Sequence, residues 1–373
     1  MRVGVIAYGL DRPFTGIGRY TVEMVRALTA LPDAPELILL TAGDAGPLAD
    51  LPLQRVPLHG CRLMPALLTH GQAQLRMLAA RLRLDVVHDP VGVAPFGLGL
   101  GRARSVITIH DVIPLSFPGV STRMDALIYR RWLPFAARRV DLVLTVSEAS
   151  SADIQRHLGV KPGRVEVIAP GVSAQFQTAA SADAGSVREK YALPDHYILS
   201  VGNVEERKNV RRVIEAYAQI RRSNLPYKLV IVGPHNWRFS EIIEAANLSD
   251  FRDDVQFTGY VDAADLPAIY RGADVFAFPS LYEGFGLPVI EAMAAGTPAV
   301  TSNRSSLPEA AGDAALKVDP EDTDAIADAI TRILTDAALA DDLRARGIAR
   351  AAGFTWERMA RAVLNSYLGI TRG

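Results

Sequence analysis

The feature of this sequence that most constrains its fold is the alternation of short β-rich runs with segments of helical period, from one end of the chain to the other. Alternation of this kind is typical of parallel sheets whose strands are joined by crossover helices. It predicts an α/β fold. The predicted strands are Val3–Tyr8, Glu36–Leu40, Asp85–His88, Ser105–His110, Leu142–Ser147 and Val165–Ile168 in the first half, and Tyr197–Val201, Lys228–Val232, Val255–Phe257, Asp274–Phe278, Pro298–Thr301 and Ala315–Val318 in the second.

The length of the chain divides this pattern into two domains. A single hydrophobic core rarely grows beyond about 250 residues, and the chain has 373. The small-residue stretch Gln177–Gly185 has no apolar period and suits a surface linker. We therefore predict two doubly wound domains, at residues 1–175 and 186–353. A last helix at 354–373 has apolar residues at helical spacing, and we expect it to pack back on the first domain.

Composition and charge exclude several classes of protein. The chain is 49% hydrophobic and 22% charged, as expected for a well-packed, ordered protein. Its net charge of −1 argues against general nucleic-acid binding, although residues 1–172 are net basic and the remainder net acidic. The N-terminal run is a strand rather than a signal peptide, and no apolar run reaches the roughly 18 residues of a membrane span, so we expect a cytoplasmic protein. Cys61 is the sole cysteine and predicts neither a disulfide nor a thiolate metal site.

Two adjacent cations, Arg207 and Lys208, follow the predicted strand Tyr197–Val201 and precede a helix. Ligands of open α/β sheets collect at the carboxyl ends of the strands. A strand-to-helix turn presents free backbone N–H groups, and these two side chains add charge able to neutralise a diphosphate. The alternative is an ordinary solvated helix start.

A second loop of interest follows the predicted strand Asp274–Phe278 and leads into a helix predicted at Val289–Ala295. Its glycines permit close backbone approach, and Pro288 suits the first turn of a helix, which leaves N–H groups to meet an anion. Carboxylates lie on both sides of this turn and could accept sugar or ribose hydroxyls; alternatively, they are a loop acid and a favourable helix-dipole charge in the first turn. The candidate residues are Glu283, Gly284, Phe285, Gly286, Leu287 and Glu291.

These segments resemble the family-four retaining glycosyltransferases. The resemblance is carried by Glu283 and Glu291 within the loop and helix up to Pro298, and it extends over Phe257–Val261, Arg207–Asn209 and Thr301–Glu309, most of the second domain. It implies the GT-B fold, two facing Rossmann-like domains. It also implies that Arg207 and Lys208 hold the donor diphosphate, Glu283 the transferred sugar and Glu291 the ribose hydroxyls. One departure is Asn203, where many relatives carry a further Arg, so the clamp rests on two cations.

The first half contributes weaker candidates. Gly16 and Gly18 follow the first strand in a loop ahead of a predicted helix; such a glycine pair alone serves a plain turn or a nucleotide site. In the resembled family this loop closes over the donor and borders the acceptor. His110 ends the strand from Ser105, and the resemblance places it beside the transferred sugar, whereas a lone histidine is more often structural. Asp111 could cap the next turn and Ser147 a helix, although the segment at Ser147 also resembles a family element at the interdomain cleft.

The stretch Ser121–Asp141 alternates arginines with large apolar side chains. A basic amphipathic segment of this kind could touch anionic lipid, which would suit a lipid-linked acceptor at the inner membrane. The alternative is a normal helix whose arginines face water.

The expected activity is a retaining, metal-independent hexosyl transfer in which Arg207 and Lys208 stabilise the departing diphosphate, and Glu283 and His110 contact the sugar. No cluster of metal-ligand spacing is present, so we expect no cofactor beyond the nucleotide-sugar co-substrate. The stretch Thr301–Leu316 resembles bacterial mannosyltransferases of surface-polysaccharide assembly, which favours GDP-mannose and a glycan or lipid-linked acceptor. The alternatives are a UDP-sugar donor, a GT-B sugar-nucleotide epimerase and a non-catalytic sugar-nucleotide-binding subunit.

Overall fold

The structure, a computed structural model, describes residues 1–11, 16–117, 126–177, 184–234 and 251–372. Two compact units account for the chain: Met1–Gly171 together with Thr355–Gly373, and Val172–Phe354. Each is built on one parallel sheet flanked by helices, so the predicted α/β class with two Rossmann-like domains is confirmed. Most of the predicted linker, residues 178–183, lies outside the described residues.

The first unit contains a seven-stranded sheet in the order β3-β2-β1-β4-β5-β6-β7, with every pairing parallel. Its strands are β1 (Arg2–Ala7), β2 (Glu36–Thr41), β3 (Gln54–Pro57), β4 (Val86–Asp89), β5 (Arg104–Thr108), β6 (Leu142–Thr145) and β7 (Val165–Val167). The helices described up to β7 are α1 (Gly16–Thr29), α2 (Met64–Leu67), α3 (His70–Arg81), α4 (Ile113–Ser116), a π-helical turn at Ile128–Trp132, α5 (Leu133–Ala137) and α6 (Glu148–Leu158).

The sequence pattern does not predict the strand β3. Its residues, Gln54 to Pro57, are mostly exposed at the edge of the sheet and carry no apolar run. Central strands such as β1 are buried on both faces by helices and therefore read as continuous apolar runs. An edge strand pairs on one side only, so backbone pairing with β2 maintains it without a hydrophobic signature.

The second unit contains a six-stranded parallel sheet in the order β10-β9-β8-β11-β12-β13. Its strands are β8 (Tyr197–Val201), β9 (Lys228–Val232), β10 (Val255–Gly259), β11 (Val275–Phe278), β12 (Ala299–Ser302) and β13 (Leu316–Val318). Among its described residues, the helices are α7 (Ala184–Lys190), α8 (Val210–Arg222), α9 (Leu266–Gly272), α10 (Leu287–Ala294), α11 (Leu307–Ala311), α12 (Thr323–Thr335) and α13 (Ala337–Ala351).

The C-terminal helix, α14 (Trp356–Arg372), belongs to the first unit and packs along α1. Its buried face includes Met359, Val363 and Tyr367, and the Tyr367 hydroxyl lies 2.6 Å from Nδ1 of His88 on β4. Nε2 of this fully buried histidine lies 2.8 Å from the hydroxyl of Thr108 on β5. A buried polar group without a partner is costly, so this network fixes the helix against the sheet.

Candidate functional site

The strand order of the second sheet indicates where a ligand site forms. β8 lies between β9 and β11, so the connections leave β8 and β11 toward opposite faces and open a crevice at their carboxyl ends. The loop after β8 carries Arg207 and Lys208, and the loop after β11 carries Glu283. The topology therefore brings together the two motifs that the sequence singled out separately.

The loop after β8 is shaped by a 3-10 turn at Glu206–Lys208 that leads directly into α8. Between them Asn209 is buried and has φ of 60°, a left-handed conformation that asparagine tolerates. Its side-chain amide donates to the carbonyls of Pro279, at 3.0 Å, and Pro320, at 2.6 Å. This amide ties the cationic turn to the loops that follow β11 and β13.

The centre of the site is a buried ion cluster around Glu283. Its Oε1 accepts from Lys208 Nζ at 2.7 Å and lies 2.9 Å from Nη1 of Arg207. Arg207 also pairs with Glu205 at 2.5 Å and donates to the Tyr282 carbonyl at 2.6 Å. Arg207 is only 8% exposed and Glu283 only 7%. These four charged side chains and one carbonyl therefore form one preorganised unit.

The electrostatics of Glu283 result from two opposing effects. Burial alone raises the pKa of a carboxyl, but the positive charges of Lys208 and Arg207 outweigh it and hold the pKa of Glu283 below its ordinary value. Burial lowers the pKa of Lys208; the Glu283 carboxylate opposes this effect, and neighbouring Arg207 adds to it. The cluster thus contains an ionised carboxylate facing two cations.

The helix α10 begins at Leu287, with Pro288 in its first turn as predicted. Gly286 caps it at φ of 103°, and a Cβ there would lie 2.6 Å from the Leu307 side chain, so glycine is required. The prediction that Glu291 lies in the first turn is wrong, because the helix starts two residues earlier than predicted. Glu291 is buried and accepts from the Tyr270 hydroxyl at 3.2 Å.

The backbone of Glu283 is held by two serines that the sequence analysis assigned no role. The hydroxyls of Ser305 and Ser306 donate to the Glu283 carbonyl at 2.7 and 2.9 Å. Ser306 is fully buried. Glu205 and Tyr270 were missed likewise. The only sequence signal for Glu205 was its position in the loop after β8. Tyr270 had no sequence signal, because its contact with Glu291 comes from the packing of α9 on α10.

The first unit positions the other candidates. Gly16 and Gly18 lie in the first turn of α1, which begins earlier than the sequence analysis placed it; glycine is a poor helix former, so the pattern suggested a loop. The residues before them, 12–15, lie outside the described residues. His110 follows β5, its Nε2 is 2.9 Å from the Pro90 carbonyl, and its ring packs edge-on against Tyr20.

Two residues near His110, Asp111 and Ser147, cap the backbone segments that follow them. Capping was considered for both residues from the sequence. Asp111 accepts from the Ile113 N–H at 2.9 Å, and Ser147 accepts from the Ser150 N–H at 3.0 Å at the start of α6. Both organise the backbone on either side of His110, since Ser150 in turn donates to the His110 carbonyl at 3.0 Å.

The basic amphipathic stretch is described from residue 126 onward, and residues 121–125 lie outside the described residues. Leu127 is 57% exposed and Phe135 is 38% exposed. The arginines of the described part, at positions 130, 131, 138 and 139, are also exposed. A groove lined by Pro65, Leu68, Leu127, Ile128, Trp132 and Phe135 with Arg131 opens beside them.

The described part of the chain contains neither a candidate membrane-spanning helix nor a candidate metal cluster. None of the helices there is both long and apolar enough to cross a bilayer. In the same residues, no group of three or more His, Cys, Asp and Glu side chains is arranged to hold a metal ion. The lone Cys61 is buried.

The ion cluster predicts a shift in the titration of Glu283. In Lys208→Met the nearer cation is gone while burial persists, so the pKa of Glu283 should rise relative to the wild-type protein. Because its folded pKa lies below the ordinary value of 4.5, ionised Glu283 stabilises the fold above that value, and the contribution is lost as pH falls through the folded pKa. Carboxyl ¹³C NMR titration measures the change. Arg211→Met, which removes an exposed ion pair with Glu215, is the control, and an unchanged Glu283 titration in Lys208→Met would contradict the cluster.

Comparison with known proteins agrees with this architecture. Residues 186–350 match the family described as Glycosyl transferases group 1, and residues 14–176 match Glycosyltransferase Family 4. The chain is 32% identical over 377 residues to the O-antigen chain mannosyltransferase B of Escherichia coli, which covers 95% of this chain and 96% of that relative.

Solved structures share the fold. A glycosyltransferase from Rickettsia africae matches with a TM-score of 0.79 at 17% identity, covering 99% of this chain and 98% of the other. Anabaena HepE, solved in complex with UDP and glucose, matches with a TM-score of 0.77 at 17% identity, covering 99% and 100%. At these identities the likeness establishes the fold alone. With two Rossmann-like domains, both family matches and a relative aligned over nearly its whole length, the chain belongs to the family-4 glycosyltransferases of the GT-B fold.

Proposed function

We propose that this glycosyltransferase moves mannose from GDP-mannose, with retention of anomeric configuration and without a metal ion, onto a glycan or lipid-linked acceptor of a bacterial surface polysaccharide. The observation that carries the proposal is the buried cluster of Arg207, Lys208 and Glu283 at the carboxyl ends of β8 and β11. It places two cations and a carboxylate where a sheet of this type binds its ligand.

In the proposed mechanism, the cations act on the leaving group. Lys208 has three N–H donors, and Glu283 Oε1 uses one of them. The remaining donors, with the backbone N–H groups at the start of α10, are suited to the charge that develops on the departing diphosphate. Stabilising developing charge with preorganised donors is usually the largest contribution to such a step.

The surroundings of Glu283 favour sugar binding over nucleophilic attack. Its carboxylate is held ionised between two cations whose ion pairs both converge on Oε1. Pairing of this kind lowers the electron-donating power of a carboxylate, whereas Oε2 can still accept from sugar hydroxyls. In the proposal His110 contacts the transferred sugar, and Glu291 contacts the ribose. The Tyr270 hydroxyl, which donates to Glu291, helps to orient the Glu291 carboxylate.

The choice of mannose is supported by the Escherichia coli relative, an O-antigen chain mannosyltransferase that matches nearly end to end. Anabaena HepE, a structural match, holds UDP and glucose. A UDP-sugar donor is therefore the second candidate. A GT-B epimerase would convert the donor alone, without an acceptor, and a non-catalytic subunit would bind it without turnover.

Substitutions at Lys208 and Glu283 test the site. Lys208→Ala and Glu283→Ala should each lower the rate of mannosyl transfer by roughly 10²- to 10³-fold, the usual loss when a preorganised charge-stabilising group is removed. Transfer is followed by mass spectrometry of the acceptor, and ¹H NMR of the product gives its anomeric configuration. Arg211→Ala, an exposed cation on α8, is the matched control and should keep full activity.

Three outcomes would contradict this assignment. Near wild-type transfer in either variant, with circular dichroism showing an intact fold, would contradict the proposed site. An inverted product would contradict the retaining mechanism, and full loss of activity in EDTA would contradict metal independence. Conversion of the donor in the absence of acceptor would instead identify an epimerase.

A further prediction concerns the donor base. A ligand that binds only the folded protein stabilises it by about 2.7 kcal/mol at a hundredfold excess over its dissociation constant. In thermal-shift measurements, GDP and GDP-mannose should therefore raise Tm more than UDP and UDP-glucose at equal concentration. A shift with the uridine compounds alone would replace GDP-mannose by a UDP-sugar.

We further propose that the basic amphipathic stretch contacts anionic lipid at the cytoplasmic face of the inner membrane, where a lipid-linked acceptor would be met. The support is the combination, on one segment, of exposed Leu127 and Phe135 with exposed arginines. Apolar side chains that enter the interface and cations that attract anionic headgroups are the two contributions such binding requires.

Membrane contact predicts a loss of vesicle binding in a charge-neutral variant. Each arginine near an anionic surface contributes about 1 kcal/mol, so Arg130→Gln with Arg131→Gln should weaken partition roughly 30-fold. Co-sedimentation with vesicles of phosphatidylcholine and phosphatidylglycerol measures it. Arg211→Gln with Arg346→Gln, two exposed arginines of the second unit, should bind as the wild-type protein does. Equal binding by both double variants would exclude this surface.

A further inference from the structure

The loop that follows β4 is organised by a fully buried carboxylate. Asp89 ends β4, is 0% exposed, and accepts from the backbone N–H of Val91 at 3.0 Å and of Ala94 at 2.6 Å. The loop is tight, since Gly92 has φ of 91° and Ala94 has φ of 55°. Left-handed alanine is an unfavourable conformation, so the hydrogen bonds of the carboxylate hold a strained turn in place.

This turn presents one of its carbonyls to a candidate site residue. The Pro90 carbonyl lies 2.9 Å from Nε2 of His110, and the two loops are neighbours because β4 pairs with β5, Asp89 opposite Ile107. A carbonyl oxygen only accepts hydrogen bonds. Nε2 must therefore carry a proton.

The other ring nitrogen is then set as well. Burial lowers the pKa of His110 to about 4, so the ring is neutral at pH 7 and carries a single proton. With that proton on Nε2, Nδ1 holds a lone pair. The ring orientation is fixed by Tyr20, whose own ring is buried and meets it edge-on at a centroid distance of 4.6 Å.

We propose that Asp89 is a positioning residue for the sugar-transfer reaction: by holding the Pro90 carbonyl against Nε2, it fixes His110 in the tautomer whose Nδ1 accepts a hydrogen bond from a hydroxyl of the bound sugar. This inference rests on the proposed function, because it gives His110 a sugar to contact. Asp89 itself acts only through the loop.

A carboxylate is the side chain that this arrangement requires. Both oxygens of Asp89 accept, Oδ1 from Val91 and Oδ2 from Ala94. Asparagine has the same shape but replaces one oxygen by an NH₂ group, which would face an N–H donor with a second donor. Asp89→Asn therefore loosens the turn while changing the side-chain volume very little.

The tautomer is measured directly, without turnover, from the ¹⁵N chemical shifts of the His110 ring at pH 7. The wild-type protein should show protonated Nε2 and unprotonated Nδ1, whereas Asp89→Asn should show averaged shifts of two tautomers. Gly92→Ala, which strains the same turn while leaving the Asp89 side chain in place, should do the same. Asp141→Asn is the matched control, because Asp141 accepts from Ser105 N–H at 2.8 Å at the opposite end of β5.

Kinetics then separates positioning from simple loss of stability. Asp89→Asn should lower kcat/KM for transfer by a factor that follows the fraction of His110 lost from the Nε2–H tautomer. In the His110→Ala background, the same substitution should have no further effect, since the group it positions is absent. Asp141→Asn should leave both tautomer and rate unchanged.

The inference is overturned if wild-type His110 carries its proton on Nδ1, if both loop variants retain the wild-type tautomer, or if Asp89→Asn lowers the rate equally with and without His110. Failure of the proposed function is distinguishable. In that case the wild-type protein transfers no sugar, or His110→Ala transfers at the full rate, while the ring shifts still report whether Asp89 controls the tautomer.

Discussion

The buried ion cluster around Glu283 is the interaction on which the site of the second unit depends. Taking a carboxylate and two cations out of water costs several kcal/mol per ion, and this is recovered only when every charge is paired in good geometry. Here Arg207 satisfies Glu205, Glu283 and the Tyr282 carbonyl at once. The backbone carbonyl of Arg207 also accepts from the Leu281 N–H at 2.9 Å. Because of these contacts, the loops after β8 and β11 cannot move independently.

Most of the fold was predictable from sequence because buried parallel strands carry a signal of their own. Both Tyr197–Val201 and Lys228–Val232 are bounded as predicted, since burial on two faces makes a strand a mostly apolar run. The edge strand β3 lacked that signal. The starts of α1 and α10 were placed too late, because glycine and proline suggest a loop even where a helix has already begun.

In the candidate site, too, some residues were predictable from local sequence patterns and others were not. Arg207, Lys208 and Glu283 were predictable because strand ends of one parallel sheet share an edge, so that motifs distant in sequence meet in space. The partners that orient them were not. Tyr270 reaches Glu291 through the packing of two helices, and Asn209 links three loops through one amide. Such contacts follow from tertiary packing, and no local sequence pattern predicts them.

The charge balance of the cluster bears on how the proposed transfer would proceed. Arg207 and Lys208 are paired with Glu205 and Glu283, so in the proposed reaction the diphosphate would meet four side chains whose formal charges sum to zero. Uniformly tight binding of substrate and transition state lowers KM without raising kcat. Two cations paired with carboxylates would bind the intact donor modestly. Their interaction with the diphosphate would be strongest when this leaving group acquires its full charge. The same carboxylates then compete for the cations and favour release of the nucleoside diphosphate. In the proposed mechanism, the acids of the cluster would therefore limit binding of the intact donor, which is the condition under which the two cations would contribute most to catalysis.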